Sequence, residues 1–175
     1  MRPGEKKQYT IIILAVILVA ASAYLISRNQ EKLQTIRPAQ ETILEDQDFV
    51  IDTGNGILRI GTSPRDEVMK IFPQGKKLGM STIYRPATVD CLLTFDRAEE
   101  LLQKMHLYNA DLATSRGIKV GDSFSKVVEK YGKNYASVSL PGNTKDFDAV
   151  YGKVNNIIFK VNDNKVTTII LQKEE

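Results

Sequence analysis

The sequence predicts an α+β protein, with an N-terminal transmembrane helix followed by two tandem repeats of a helix and an antiparallel sheet. Three observations lead to this class. Residues 11–26 form an almost unbroken apolar run. A Gly-x-Ser pattern before a helical stretch occurs at Gly61 and again, sixty residues later, at Gly121. Short segments of alternating polarity, typical of strands, follow each copy. The predicted segments are a short cytoplasmic segment (1–8), the anchor (9–27), a linker (28–48) and a domain (49–175) whose repeats span about 57–109 and 117–172.

The apolar segment 9–27 has the length and composition of a membrane-spanning helix, which needs about 20 mostly apolar residues. Arg2, Lys6 and Lys7 precede it. We therefore expect a single-pass protein of the cell membrane whose C-terminal domain lies outside the cytoplasm. The alternative is a secretory signal that is cleaved near Ala23, so that the remainder is secreted. Both interpretations place the domain outside the cytoplasm.

Charge and composition exclude several classes of function. The net charge of +3 is carried by residues 1–28, and the rest of the chain is neutral. Nucleic-acid binding needs a concentrated basic face, so we expect no nucleic-acid partner. The chain has one cysteine, Cys91, and one histidine, which leaves no internal disulfide and no cysteine or histidine cluster for a metal. We expect no cofactor, and we interpret Cys91 as a small buried apolar residue.

The predicted linker is polar, and Pro38 interrupts any helix within it. We interpret it as a spacer between the membrane and the domain. Ordered structure is expected to begin at residues 49–51, before a turn rich in Asp, Gly and Asn at residues 52–56.

A short helix is predicted near the start of each copy. In the first copy, Ser63 is expected to cap a helix that Pro73 ends. In the second copy, Asp122 or Ser123 is the expected cap, and Gly132 the expected end. The apolar residues that fall at helical spacing in this second helix are Phe124, Val127, Val128 and Tyr131.

The alternation of the strands assigns their side chains to two faces. The residues expected to point at the helices are Phe95, Met105, Leu107, Phe159, Ile169 and Leu171. The residues expected on the opposite, open face, which we predict to be a binding site, are Leu92, Thr94, Lys104, His106, Tyr108, Ile158, Lys160, Thr168 and Ile170. Isoleucines mixed with tyrosine, histidine and lysine suit protein binding. The alternative is that the linker or a second copy of the chain covers this face.

The repeated pattern resembles a known architecture. The residues that carry it are Gly61, Ser63, Val68 and Phe72 in the first copy, and Gly117, Gly121, Ser123, Val128, Tyr131 and Gly132 in the second. Together they resemble the tandem repeat of the β-lactamase inhibitor protein-like (BLIP-like) fold, and one unit is similar to small envelope lipoproteins of the SmpA/OmlA type. The resemblance covers residues 57–172, departs from the pattern at Pro73, and lacks the lipid-bearing cysteine. It implies an extracytoplasmic binding domain with one open sheet face.

The function predicted from these features is a membrane-anchored, extracytoplasmic, non-catalytic protein-interaction domain whose partner is an envelope protein. The alternative is a secreted or envelope-associated enzyme or ligand sensor that acts on cell-envelope material. Candidate catalytic carboxylates exist, but no spacing singles out a pair, so we expect no catalytic residue and no metal site. The carboxylates considered are Asp90, Asp96, Asp146 and Asp148.

Overall fold

The main feature of the computed structural model, which describes residues 32–174, is an antiparallel sheet of nine strands. The strands are β1 (Gln34–Ile36), β2 (Val50–Asp52), β3 (Ile57–Arg59), β4 (Gly75–Lys77), β5 (Ile83–Pro86), β6 (Cys91–Phe95), β7 (Leu102–Leu107), β8 (Ala136–Ser139), β9 (Asp146–Tyr151), β10 (Asn156–Asn162) and β11 (Lys165–Gln172). The order in the sheet is β1-β8-β9-β10-β11-β7-β6-β5-β4, while β2 and β3 form a separate ribbon. The helices are α1 (Arg65–Ile71), α2 (Phe124–Tyr131) and a 3-10 turn (Asp46–Phe49).

The predicted α+β class, with two tandem helix-plus-sheet repeats, is wrong. Strands from both halves of the sequence hydrogen-bond into one continuous sheet, because β11 pairs with β7 and places Ile170 opposite His106. The two α-helices have only seven and eight residues. The described residues therefore form a mainly β structure in which short helices cover a large sheet.

The structure also corrects the prediction of a transmembrane signal-anchor in a single-pass protein of the cell membrane. Within residues 32–174, no helix is long and apolar enough to cross a membrane. At 1.5 Å per residue, helices of seven and eight residues are far shorter than a hydrocarbon core of about 30 Å. The segment predicted to span the membrane, 9–27, and the cleavage site near Ala23 lie outside the described residues.

The turns before the two helices agree with the sequence-based predictions more closely than the fold as a whole does. Gly61 and Gly121 have φ angles of +91° and +93°, a region that favours glycine. Ser123 caps α2, because its hydroxyl accepts a hydrogen bond from the Lys126 N–H. Ser63 does not cap α1: its hydroxyl accepts the Arg59 N–H at 2.8 Å, and Pro64 occupies the cap position.

One face of the sheet carries the core. All six residues predicted to point at the helices are buried. Helices α1 and α2 cover this face with residues that are themselves buried, including Val68, Val127 and Tyr131. Each large apolar side chain removed from water in this way stabilises the fold by about 1.5–3 kcal/mol.

The described part of the predicted linker is bound to the sheet. Strand β1 pairs with β8, and the Thr42 N–H donates to the Asn134 carbonyl oxygen at 3.2 Å. Leu44 packs against the core. Residues 32–48 thus contribute an edge strand as well as the approach to the 3-10 turn.

A partly buried ion pair links the 3-10 turn to α2. The Asp48 carboxylate is 3% exposed and accepts hydrogen bonds from Arg116 Nε at 2.6 Å and Nη2 at 2.7 Å. Arg116 Nη1 donates to the Lys130 carbonyl oxygen at 3.0 Å, and the guanidinium lies 4.6 Å from the centre of the Tyr131 ring. Bidentate arginine–carboxylate pairs of this kind are among the stronger hydrogen-bonded contacts in proteins.

We expect Arg116→Ala to destabilise the fold by about 2–4 kcal/mol, because the buried Asp48 carboxylate loses its charged partner and keeps only the Glu45 N–H as a donor. The measurement is urea unfolding followed by circular dichroism. Lys70→Ala is the control, since it breaks an exposed ion pair with Asp66 and should change the free energy of unfolding by less than about 0.5 kcal/mol. Similar losses in the two variants would contradict a special role for Arg116.

Candidate functional site

The nine residues predicted to form a binding site lie together on the sheet face opposite the core. Strand register places Leu92 opposite His106, His106 opposite Ile170, and Ile170 opposite Ile158. Their chain neighbours, such as Leu93 and Phe159, are buried under the helices. Because successive strand residues point to opposite faces, the site residues point away from the helices. We call this surface the open face.

Two further residues extend the apolar part of the open face. Val150 lies opposite Ile158, and Ala136 lies opposite Val150. The sequence prediction missed both, although Val150 stands between Ala149 and Tyr151, which are buried on the core side. The apolar row, as we name it, crosses six strands and consists of Leu92, His106, Ile170, Ile158, Val150 and Ala136.

Polar rows flank the apolar row on both sides. One flank contains, in register, Thr94, Lys104, Gln172 and Asn156. The other contains Thr168, Lys160, Asp148 and the less polar Val138. Lys160 Nζ lies 3.1 Å from Asp148 Oδ2, so one lysine of the open face is paired. Within the described part of the chain, Lys104 makes no ion pair, so its charge is available to a partner.

The apolar row is partly shielded by its neighbours. Ile170 is 7% exposed, while Leu92, His106 and Ile158 are half-buried. Tyr108, directly after β7, is 38% exposed, and its hydroxyl oxygen lies 3.4 Å from His106 Nδ1. The face is therefore a shallow strip, which suits contact with another surface better than enclosure of a small molecule.

His106 is held in its neutral form. Burial lowers its pKa below the ordinary value of 6.5, and the positive charges of Lys104 and Lys160 lower it further. At neutral pH the imidazole is uncharged and contributes an amphipathic ring to the apolar row.

The candidate carboxylates of the enzyme alternative are engaged in separate structural contacts. Asp90 pairs with Arg85 at 2.9 Å, and Asp148 pairs with Lys160. Asp96 is buried, and its Oδ1 accepts the Glu100 N–H at 2.7 Å. The remaining one, Asp146, accepts hydrogen bonds from the side-chain amides of Asn143 and Asn162. These contacts tie turns and strands, and each of the four carboxylates has different partners.

Neither metal binding nor thiol chemistry is favoured by the described residues. Within residues 32–174, no three side chains from histidine, cysteine, aspartate and glutamate come together as a metal site. Cys91 is fully buried, and burial raises the pKa of its thiol to about 12. A thiol that stays protonated at neutral pH is a poor nucleophile.

Comparison with known proteins assigns no family. No protein-family model matches the chain, and no curated protein matches it. One solved structure that is similar is the crystal structure of a DUF4309 family protein (YjgB) from Bacillus subtilis subsp. subtilis str. 168. The TM-score is 0.48 and the sequence identity 13%, with 67% of this chain and 82% of that chain covered. So weak a likeness supports no functional statement, and the BLIP-like resemblance stays a prediction.

The titration of His106 tests the electrostatics of the open face. Because His106 is the one histidine of the chain, its ring signals can be followed without ambiguity by NMR. We expect a midpoint below 6.5, and a higher midpoint in Lys104→Ala, where one repelling charge is gone. A midpoint at or above 6.5 in the unaltered chain would show that the ring is not buried as described.

The same shift sets the sign of a pH effect on stability. The unfolded chain binds the proton more tightly than the folded chain, since the folded pKa of His106 is the lower one. Its contribution to stability is therefore complete above pH 6.5 and is lost as the pH falls through the lowered pKa.

Proposed function

We propose that this chain is a non-catalytic protein-binding module and that the open face is its binding surface. The observation that carries the proposal is the apolar row, which crosses six strands between two more polar rows. A sheet face exposed to water normally presents polar residues. At about 4.8 Å between neighbouring strands, the row is roughly 24 Å long, a dimension that matches an interface between proteins.

The side chains of the apolar row and its flanks indicate which groups a partner should present to the open face. Aliphatic side chains at the centre favour an apolar strip on the partner, and the polar rows can form a rim of hydrogen bonds around it. The free charge of Lys104 favours a carboxylate opposite one flank. The sequence-based expectation that this partner is an envelope protein remains part of the proposal.

Ile158→Asp tests the proposal because it places a charge at the centre of the apolar row. We expect it to weaken binding of a captured partner by at least about tenfold, since a carboxylate would be desolvated at the interface. Partners would be captured from envelope extracts with the full chain, identified by mass spectrometry, purified, and titrated by calorimetry.

Val154→Asp is the matched control. It makes the same change of charge at an exposed residue, 56% accessible, in the turn between β9 and β10. Thermal unfolding of both variants would show that they are folded. Equal binding by the two folded variants, or no partner at all, would overturn the assignment of the open face.

A further inference from the structure

A second site, which is concave, lies on the helix side of the sheet, remote from the open face. It is a cleft of about 400 Å³ lined by residues of β1, β8, β9 and the start of α2. Ser137 of β8 lies opposite Ala149, a core-facing residue of β9, and this register places the cleft on the core side of the sheet. Ile36 of β1 lies opposite Ser137 and closes the edge. A volume of this size falls within the range of about 300–1,000 Å³ typical of small-molecule sites.

Three aromatic rings form the apolar wall of this cleft, which we name the aromatic cleft. The rings of Tyr135 and Phe147 are nearly parallel, at 21°, with centroids 6.4 Å apart. Phe124, the first residue of α2, meets them edge-on at 5.2 Å and 5.0 Å, with interplanar angles of 88° and 89°. Tyr135 and Phe147 are half-buried, so part of their surface stays accessible in the cleft.

Polar side chains beside the rings are free to bind a ligand. Ser137, Ser139, Thr144 and Asn164 line the cleft. Within the described residues, the side chains of these four make no hydrogen bond, although the Asn164 backbone carbonyl accepts the Phe124 N–H. Each hydroxyl can donate one hydrogen bond and accept two, and the amide of Asn164 can do both.

Among residues 32–174, no charged side chain lines the aromatic cleft. Two charges adjacent in sequence to lining residues, on Lys145 and Asp163, are paired with each other at 3.2 Å. Three other clefts in the described part of the chain each include charged lining residues. A phosphate, carboxylate or ammonium ligand would therefore find no opposite charge within the lining of the aromatic cleft.

We infer that the aromatic cleft is a binding site for an uncharged saccharide. The C–H groups on one side of a sugar ring carry partial positive charge and are attracted to the negative face of an aromatic ring. The hydroxyls around the sugar ring both donate and accept, as the four free side chains beside the rings do. This combination of ring faces, uncommitted hydroxyl and amide groups and zero charge fits a sugar better than a nucleotide, a lipid headgroup or an apolar molecule.

The experiment titrates the full chain with three neutral hexasaccharides, maltohexaose, cellohexaose and N-acetylchitohexaose, by calorimetry and NMR. We expect one of them to bind and to shift signals of the cleft. Tyr135→Ala should weaken that binding by at least about tenfold. Because Tyr135 also packs against Tyr151, at 5.6 Å between ring centres, a second variant is needed. Ser139→Arg fills the cleft from a half-buried strand position and should give the same loss without removing a core contact.

Tyr108→Ala is the matched control, since it removes a partly exposed tyrosine from the other side of the sheet. It should leave saccharide binding unchanged. Ile158→Asp should do so as well, which separates this site from the protein-binding surface. Choline and adenosine are titrated in the same way as the saccharides. The inference is overturned by any of three results: none of the three saccharides binds, folded Ser139→Arg binds as tightly as the unaltered chain, or the cleft binds choline or adenosine and no saccharide.

Discussion

The pairing of Asp48 with Arg116 is the constraint on which the arrangement of this domain depends. It draws three separate segments together: the 3-10 turn, the loop before α2 and the last carbonyl groups of α2. Phe49, directly after Asp48, and Ile51, three positions after it, are buried in the core. A carboxylate removed from water must keep its partner, so this pair holds the N-terminal segment on the helix side of the sheet. The opposite face is left uncovered by these three segments.

The two faces of the sheet consequently differ in kind. On the helix side, Phe159 packs edge-on against Tyr131 and Tyr151, whose rings are tilted by 48° to each other. Tyr135 packs against Tyr151 of this aromatic group and, with Phe124 and Phe147, lines the aromatic cleft. The open face is instead a shallow, aliphatic strip. One sheet thus offers a flat surface suited to a protein and a concave surface suited to a small neutral molecule.

The side-chain alternation of single strands could be read from the sequence, whereas the pairing of distant strands could not. Leu92, His106, Ile158 and Ile170 share a face because alternation has a period of two wherever the backbone is extended. The repeat suggested two units, but no local pattern encodes the pairing of β11 with β7, which merges them. The sequence predicted Ser63 as a helix cap, but its hydroxyl accepts a hydrogen bond from the N–H of Arg59, four residues earlier. Asp48 and Arg116 lie 68 positions apart, and the rings of the aromatic cleft come from α2, β9 and the segment before β8.

The position of Cys91 allows its chemical labelling to report transient opening of the sheet. The thiol lies at the start of β6, between β5 and β7, fully buried and strongly protonated. A thiol reagent in solution can modify it only when this part of the sheet separates transiently from the core. Since the chain has no other cysteine, the rate of thiol labelling in the unaltered chain measures how often the middle of the sheet opens transiently.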